Sequence, residues 1–232
     1  MSRFAAEKLA ELRVEALQLG ARIVESIPRT TNILLEQDLE GAEYQILSDD
    51  EFDARTLDLE ENSIVLMALQ APVATDLRRA LVIMKLSAEL ERTADLVANL
   101  CKVSRRIHGQ ILDERLQVLI RVMGDHSRQQ MQVAVEAYAN EDAALAASVR
   151  TLDERLDDLQ RKFIQTIFEC SADSSLELSV AIQMAITARF YERIGDHAVN
   201  IADLVEFLVT GSKPPSRPRL LDGPTPTPAG GQ

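Results

Sequence analysis

Apolar residues recur three and four apart through the first part of the chain: Leu9, Leu12, Ala16, Leu19, Ile23 and Ile27. That spacing is the stripe of an amphipathic helix and predicts one helix over about residues 4–47. Pro28 falls inside it, and a proline removes a helix hydrogen bond, so a bend or break is expected near Ser26. A second helix is predicted over about residues 48–70, opened by a Ser48/Glu51 capping box with Asp49 and Asp50 in the first turn. Ala71-Pro72-Val73 is a turn, and a third helix follows to about residue 107, ended by His108-Gly109. The plan then repeats, with helices over about residues 111–150 and 152–170, a turn at Ser171-Ala172-Asp173-Ser174, a second capping box at Ser174/Glu177, and a last helix stopped by Gly211.

The pattern predicts an all-α protein of two tandem three-helix units, residues 1–109 and 110–211. Residues 212–232 hold six of the eight prolines and are expected to form a disordered tail that carries no chemistry.

An internal repeat strengthens this division. Glu91-Arg92-Thr93-Ala94-Asp95 and Glu192-Arg193-Ile194-Gly195-Asp196 lie 101 residues apart, and the same register places Asn99 over Asn200. Upstream the offset is 104, placing Asp38 on Asp142, Ala42 on Ala146, Asp49 on Asp153 and Asp53 on Asp157. Each half therefore carries two acidic pairs: Asp49/Asp53 with Glu91/Asp95, and Asp153/Asp157 with Glu192/Asp196. Among 37 acidic residues such pairs arise by chance, so their repeated placement is the signal. Glu154/Asp158 and Glu169/Asp173 have no counterparts and are read as surface pairs.

Residues four apart on a helix share a face, with Cβ atoms roughly 5–6 Å apart. Pro72 lies midway between Asp53 and Glu91, and also between Asp49 and Asp95. Antiparallel helices joined there set both pairs at matching heights. In the second half Asp157 falls opposite Glu192, and Asp153 opposite Asp196, about a turn between Ser174 and Ser175. Four carboxylates brought together repel, and a cation, raised pKa values or nearby arginines must compensate. Carboxylate oxygens suit hard cations such as Mg²⁺, Mn²⁺, Ca²⁺ or Fe³⁺. Asn99 and Asn200 continue the same faces as candidate amide ligands, and Arg92 and Arg193 are candidate neutralising partners. The same spacing also describes a solvated acidic face with ion pairs inside each helix. His197, after Asp196, is readable as a ligand or as an ordinary packed histidine.

Composition narrows the field. A net charge of −12 argues against nucleic-acid binding, which needs a basic face. Cys101 and Cys170 lack CxxC spacing and are expected to be buried thiols in a reducing cytosol. With no signal peptide and no apolar run long enough to span a bilayer, a cytoplasmic protein without direct membrane insertion is expected. No nucleophile motif, phosphate-cradling glycine loop, HExxH or Glu-x-x-His occurs, so no enzyme is expected.

The segment from Phe190-Tyr191-Glu192-Arg193-Ile194-Gly195-Asp196 through His197-Ala198-Val199-Asn200 resembles the signature of the PhoU family of phosphate-uptake regulators. Gln70-Ala71-Pro72-Val73-Ala74-Thr75-Asp76-Leu77-Arg78 and Glu91-Arg92-Thr93-Ala94-Asp95 resemble its first-half motifs, with Thr93-Ala94 in place of the usual Ile-Gly. The resemblance implies two tandem three-helix bundles related by pseudo-twofold symmetry. It also implies metal clusters (iron, manganese, magnesium or zinc) at Glu91/Asp95 and Glu192/Asp196, and at Asp49/Asp53 and Asp153/Asp157. The implied role is a cytoplasmic, commonly homodimeric adaptor that restrains a phosphate ABC transporter and holds a sensor histidine kinase in its inhibitory mode. The alternatives are a metal-free helical scaffold binding partner helices and a metal-dependent hydrolase.

Overall fold

The computed structural model describes residues 3–173 and 175–212. Ser174 of the second expected capping box and the tail from residue 213 lie outside them. Among the described residues seven helices follow one another: α1 (Arg3–Glu36), α2 (Leu39–Leu47), α3 (Asp49–Gln70), α4 (Ala74–Arg106), α5 (Glu114–Asn140), α6 (Ala143–Ala172) and α7 (Leu178–Thr210). Within the first half α1, α3 and α4 pack together, with α2 laid against α4; within the second, α5, α6 and α7 do so. The halves meet where α4 packs on α7 and α1 on α5, so one continuous core runs from Ala5 to Leu208. Among the described residues no helix is long and apolar enough to cross a membrane.

The stripe Leu9, Leu12, Ala16, Leu19, Ile23 and Ile27 is buried along the length of α1. Of the bend or break expected near Ser26, the break is absent: α1 continues through Pro28. An interior proline costs about 3 kcal/mol, whereas each fully buried Leu or Ile side chain contributes about 1.5–3 kcal/mol. Ile23, Ile27 and Leu34 flank Pro28 on the buried face, and their burial outweighs it.

The interruption falls instead at Gln37-Asp38. Gln37 takes a left-handed φ of 52°. Its amide is anchored there, accepting from the Gly109 N–H at 2.7 Å and donating to the Gln110 carbonyl at 2.6 Å. Asp38 then caps α2 by accepting from the Gly41 N–H at 3.0 Å. The second half breaks at the repeat-related place, not at residue 151: Glu141 has φ 50°, and Asp142 caps α6 through the Ala144 and Leu145 N–H groups. Ala42 and Ala146, also repeat-related, are both fully buried. A single residue, Ser48, separates α2 from α3, and its hydroxyl donates to the Gln45 carbonyl at 2.8 Å instead of capping α3. The expected partner of that cap, Glu51, pairs with Arg22.

The α1–α5 crossing displays the pseudo-twofold relation directly. A Cβ on Gly20 would sit 3.0 Å from Val135, and one on Gly124 would sit 2.4 Å from Thr31. Gly20 and Gly124 are 104 residues apart, as are Thr31 and Val135. Each helix thus offers a glycine notch to a β-branched side chain of the other.

Candidate metal centres

In the first repeat Asp49 and Asp53 project from α3, and Glu91 and Asp95 from α4. The α3–α4 turn sets the register: Ala71 closes α3 in a left-handed conformation, Pro72 cannot continue it, and α4 starts after Val73. Asp49 is half-buried, and that burial, with the charges of Asp53 and Asp95, raises its pKa to about 6 against the pull of Lys102. Burial and then Asp95 push Asp53 upward. Burial followed by Asp53 and Asp95 does the same for Glu91. The four carboxylates are near enough to act on one another: Asp49 feels Asp53 and Asp95, Asp53 feels Asp95, and Glu91 feels both Asp53 and Asp95.

The second repeat holds its acidic group deeper. Asp153 is buried and Asp157 half-buried on α6; Glu192 and Asp196 are half-buried on α7. Burial, then Asp196, Asp157 and Asp153, raise the Glu192 pKa to about 7, against the opposing charge of Arg189. Arg189 pairs with Glu192 Oε1, taking the neutralising role expected of Arg193. Glu192 Oε2 is buried with no hydrogen-bond partner. An acceptor in that state carries an uncompensated desolvation cost, which a cation relieves.

Sequence reasoning missed Gln130. This fully buried residue of α5 donates through Nε2 to Asp153 Oδ1 at 2.9 Å and to the Gly195 carbonyl at 3.2 Å. Gly195 makes room for it, since a Cβ there would lie 2.8 Å from Gln130 Oε1 and 2.6 Å from Leu156. The signal was indirect: the Ile-Gly of the second half against Thr93-Ala94 in the first.

Glu89 was missed as well. It lies on α4 and accepts from Asn200 Nδ2 at 2.9 Å, and its Oε2 lies 2.8 Å from His197 Nδ1. Burial opposes its ionisation, but these two hydrogen bonds and the charges of His197 and Arg92 prevail and hold it below the usual carboxylate range. His197 is therefore a packed histidine bridging the halves, and the Asn200 amide nitrogen is turned toward that bridge. Asn99 accepts from Lys102 Nζ at 3.1 Å. Arg92 lies 4.0 Å from Glu89, and its charge also opposes the upward shift of Glu91. The positions related by the repeat to Glu89 and His197 are Phe190 and Leu96, both apolar, so no repeat signal marked this bridge.

As placed, the carboxylates are neighbours and not a finished cage: among the described residues no three Asp, Glu, His or Cys side chains converge on one point. Their chemistry nevertheless fits a hard cation, with oxygen donors, mutual repulsion and, in the second group, a buried acceptor without a donor.

Comparison with known proteins agrees with this architecture. The PhoU domain model matches twice, over residues 16–104 and 120–205. A phosphate-specific transport system accessory protein PhoU homolog of Zymomonas mobilis is 31% identical over 216 residues, 93% of this chain and 91% of that protein. PhoU homolog 2 of Mycobacterium tuberculosis is 33% identical over 209 residues, covering 90% of this chain and 97% of its own. The crystal structure of PhoU from Pseudomonas aeruginosa superposes with a TM-score of 0.84 at 27% identity, covering 89% of this chain and 99% of that one. A duplicated helical fold, a repeated acidic arrangement and similarity over nine-tenths of the chain lead to one conclusion: this chain belongs to the PhoU family.

Proposed function

We propose that this chain is a negative regulator of phosphate uptake and phosphate-responsive signalling. In this reading it is a metal-binding adaptor at the cytoplasmic face, acting as a homodimer between a phosphate ABC transporter and a sensor histidine kinase. The observation that supports it best is the juxtaposition, in each repeat, of two acidic pairs from neighbouring helices, in a chain similar to PhoU homologs named as accessory proteins of phosphate transport. Asp49, Asp53, Glu91 and Asp95 hold one centre; Asp153, Asp157, Glu192 and Asp196 hold the other. A bound cation supplies charge neutralisation and ties α3 to α4, or α6 to α7. The chain's own residues position the ligands: Gln130 orients Asp153, and Arg189 holds Glu192 until a cation competes for it. No catalytic step is assigned to the acidic groups.

Deleting the gene and following phosphate-regulated expression in phosphate-rich medium tests the role. Derepressed expression that wild-type protein restores and a Glu192→Ala/Asp196→Ala variant does not is the expected result. Unchanged expression on deletion contradicts the regulatory reading, and full rescue by the variant contradicts the need for the acidic groups.

A further inference from the structure

The two repeats differ at one spot where their symmetry predicts sameness. In the second, the Gln130 amide fills the space beside Asp153 and donates to its carboxylate. The residue 104 positions earlier is Ser26, and the counterpart of Gly195 is Ala94. The Ser26 hydroxyl donates instead to the Ile23 carbonyl of its own helix at 2.8 Å. A cleft of about 210 Å³ lies there instead, lined by Arg22, Glu25, Ser26, Arg29, Ser48 and Asp49. Burial and the charges of Asp53 and Asp95 act on Asp49, opposed by Lys102.

The lining sets two demands on an occupant. It must give a hydrogen bond to the Asp49 carboxylate, as the Gln130 amide does for Asp153. It must also offer anionic acceptors to Arg22 and Arg29. Arg22 is held in place by Glu51 at 3.0 Å and lies over the Phe52 ring at 5.6 Å, while Arg29 is exposed. Guanidinium groups bind oxyanions through charge-assisted hydrogen bonds, and the cleft has space for a tetrahedral anion with a bridging water.

We propose that this first-repeat cleft binds inorganic phosphate in a protonated form. One P–OH donates to Asp49, and the ionised oxygens accept from Arg22 and Arg29. Sulfate has the same shape and no hydrogen, so it meets the Asp49 carboxylate with repulsion. A phosphate monoester, with a second pKa of about 6, is largely stripped of its hydrogen above neutral pH and is disfavoured likewise. The second repeat has no such site, because Gln130 occupies it. The inference goes beyond the adaptor reading and needs no metal.

Calorimetric titration of the chelator-treated full chain, slightly above neutral pH, with phosphate, sulfate and glycerol phosphate in turn tests it. Phosphate is expected to bind saturably at one site per chain, with sulfate and the monoester weaker by roughly tenfold or more, the cost of one charged hydrogen bond. Arg29→Gln, on an exposed residue, is expected to weaken phosphate about tenfold or more with an unchanged melting temperature. Asp49→Asn is expected to erase the preference for phosphate over sulfate. The double variant Ser26→Gln/Ala94→Gly, importing the second repeat's filling, is expected to abolish binding. Should that variant melt early, Arg29→Gln alone decides the matter. Absence of saturable phosphate binding overturns the proposal, as does equal affinity for sulfate or full affinity in Arg29→Gln. Metal content of the wild-type chain and of Glu192→Ala/Asp196→Ala, measured separately, reports on the adaptor reading whatever the phosphate titrations show.

Discussion

Glu192→Gln separates the electrostatic account of the acidic groups from a purely structural one, because its effect changes sign with conditions. Glu192 is raised from an ordinary 4.5 to about 7 by burial and by Asp196, Asp157 and Asp153. A carboxyl raised in the folded state keeps its proton longer folded than unfolded. Its ionisation therefore costs nothing below about pH 4.5, costs progressively more up to about pH 7, and costs the full amount above. In a fully buried group a shift of that size corresponds to about 3 kcal/mol. The Glu192 side chain keeps 13% of its surface in solvent, and screening brings the cost to about 1–2 kcal/mol. The opposing charge of exposed Arg189 is already contained in that shift. The net gain for Glu192→Gln without metal is thus about 1–2 kcal/mol, or about 2–8 °C in a chain of this size. Thermal melts in chelator are expected to show that gain near pH 8 and none near pH 5. With a saturating hard cation the order reverses near pH 8, because the variant has lost an anionic ligand and the linked stabilisation. A variant less stable than wild type near pH 8 in chelator, or one equally favoured near pH 5, refutes the reasoning.

Three further outcomes follow from the packing and the inter-repeat bridge. Gly195→Ala brings a methyl to 2.6 Å from Leu156 and 2.8 Å from Gln130 Oε1, and is expected to cost about 1–3 kcal/mol by denaturant unfolding while loosening Asp153. Gly124→Val drives a side chain into Thr31, whose Oγ1 a Cβ would approach to 2.4 Å, and is expected to destabilise by about 3 kcal/mol or more. Glu89→Gln keeps an acceptor for His197 and Asn200 but removes the charge, and is expected to cost about 1 kcal/mol near neutral pH. Because the Glu89 pKa is lowered, its contribution is present above 4.5 and vanishes as pH falls through the lower folded value, so the melting curves of Glu89→Gln and wild type are expected to converge in acid.

The helical class was legible because Leu9, Leu12, Ala16, Leu19, Ile23 and Ile27 form an uninterrupted stripe, and burial follows that stripe residue by residue. The same signal misled at its ends. Leu39, Ala42 and Ile46 extend the spacing past Gln37, so periodicity concealed a break that Asp38 and Asp142 announce as helix caps. Pro28 reads as a breaker because local propensity ignores tertiary burial, which in α1 outweighs the lost hydrogen bond. The acidic groups were legible because a turn fixes the register of two helices and a repeat doubles the signal. Gln130 and Glu89 were not, since each acts across helices distant in sequence and neither is repeated. Their roles rest on which long side chain fills which gap, and that is decided by packing.

Protein purified without chelator, crystallised and measured by anomalous scattering alongside elemental analysis, tests most directly the proposal that the two carboxylate groups hold cations. Scattering peaks beside Asp49/Asp53/Glu91/Asp95 and beside Asp153/Asp157/Glu192/Asp196 are predicted, with loss of only the second in Glu192→Ala/Asp196→Ala. No metal in the wild-type chain, or the same metal content in that variant, contradicts it.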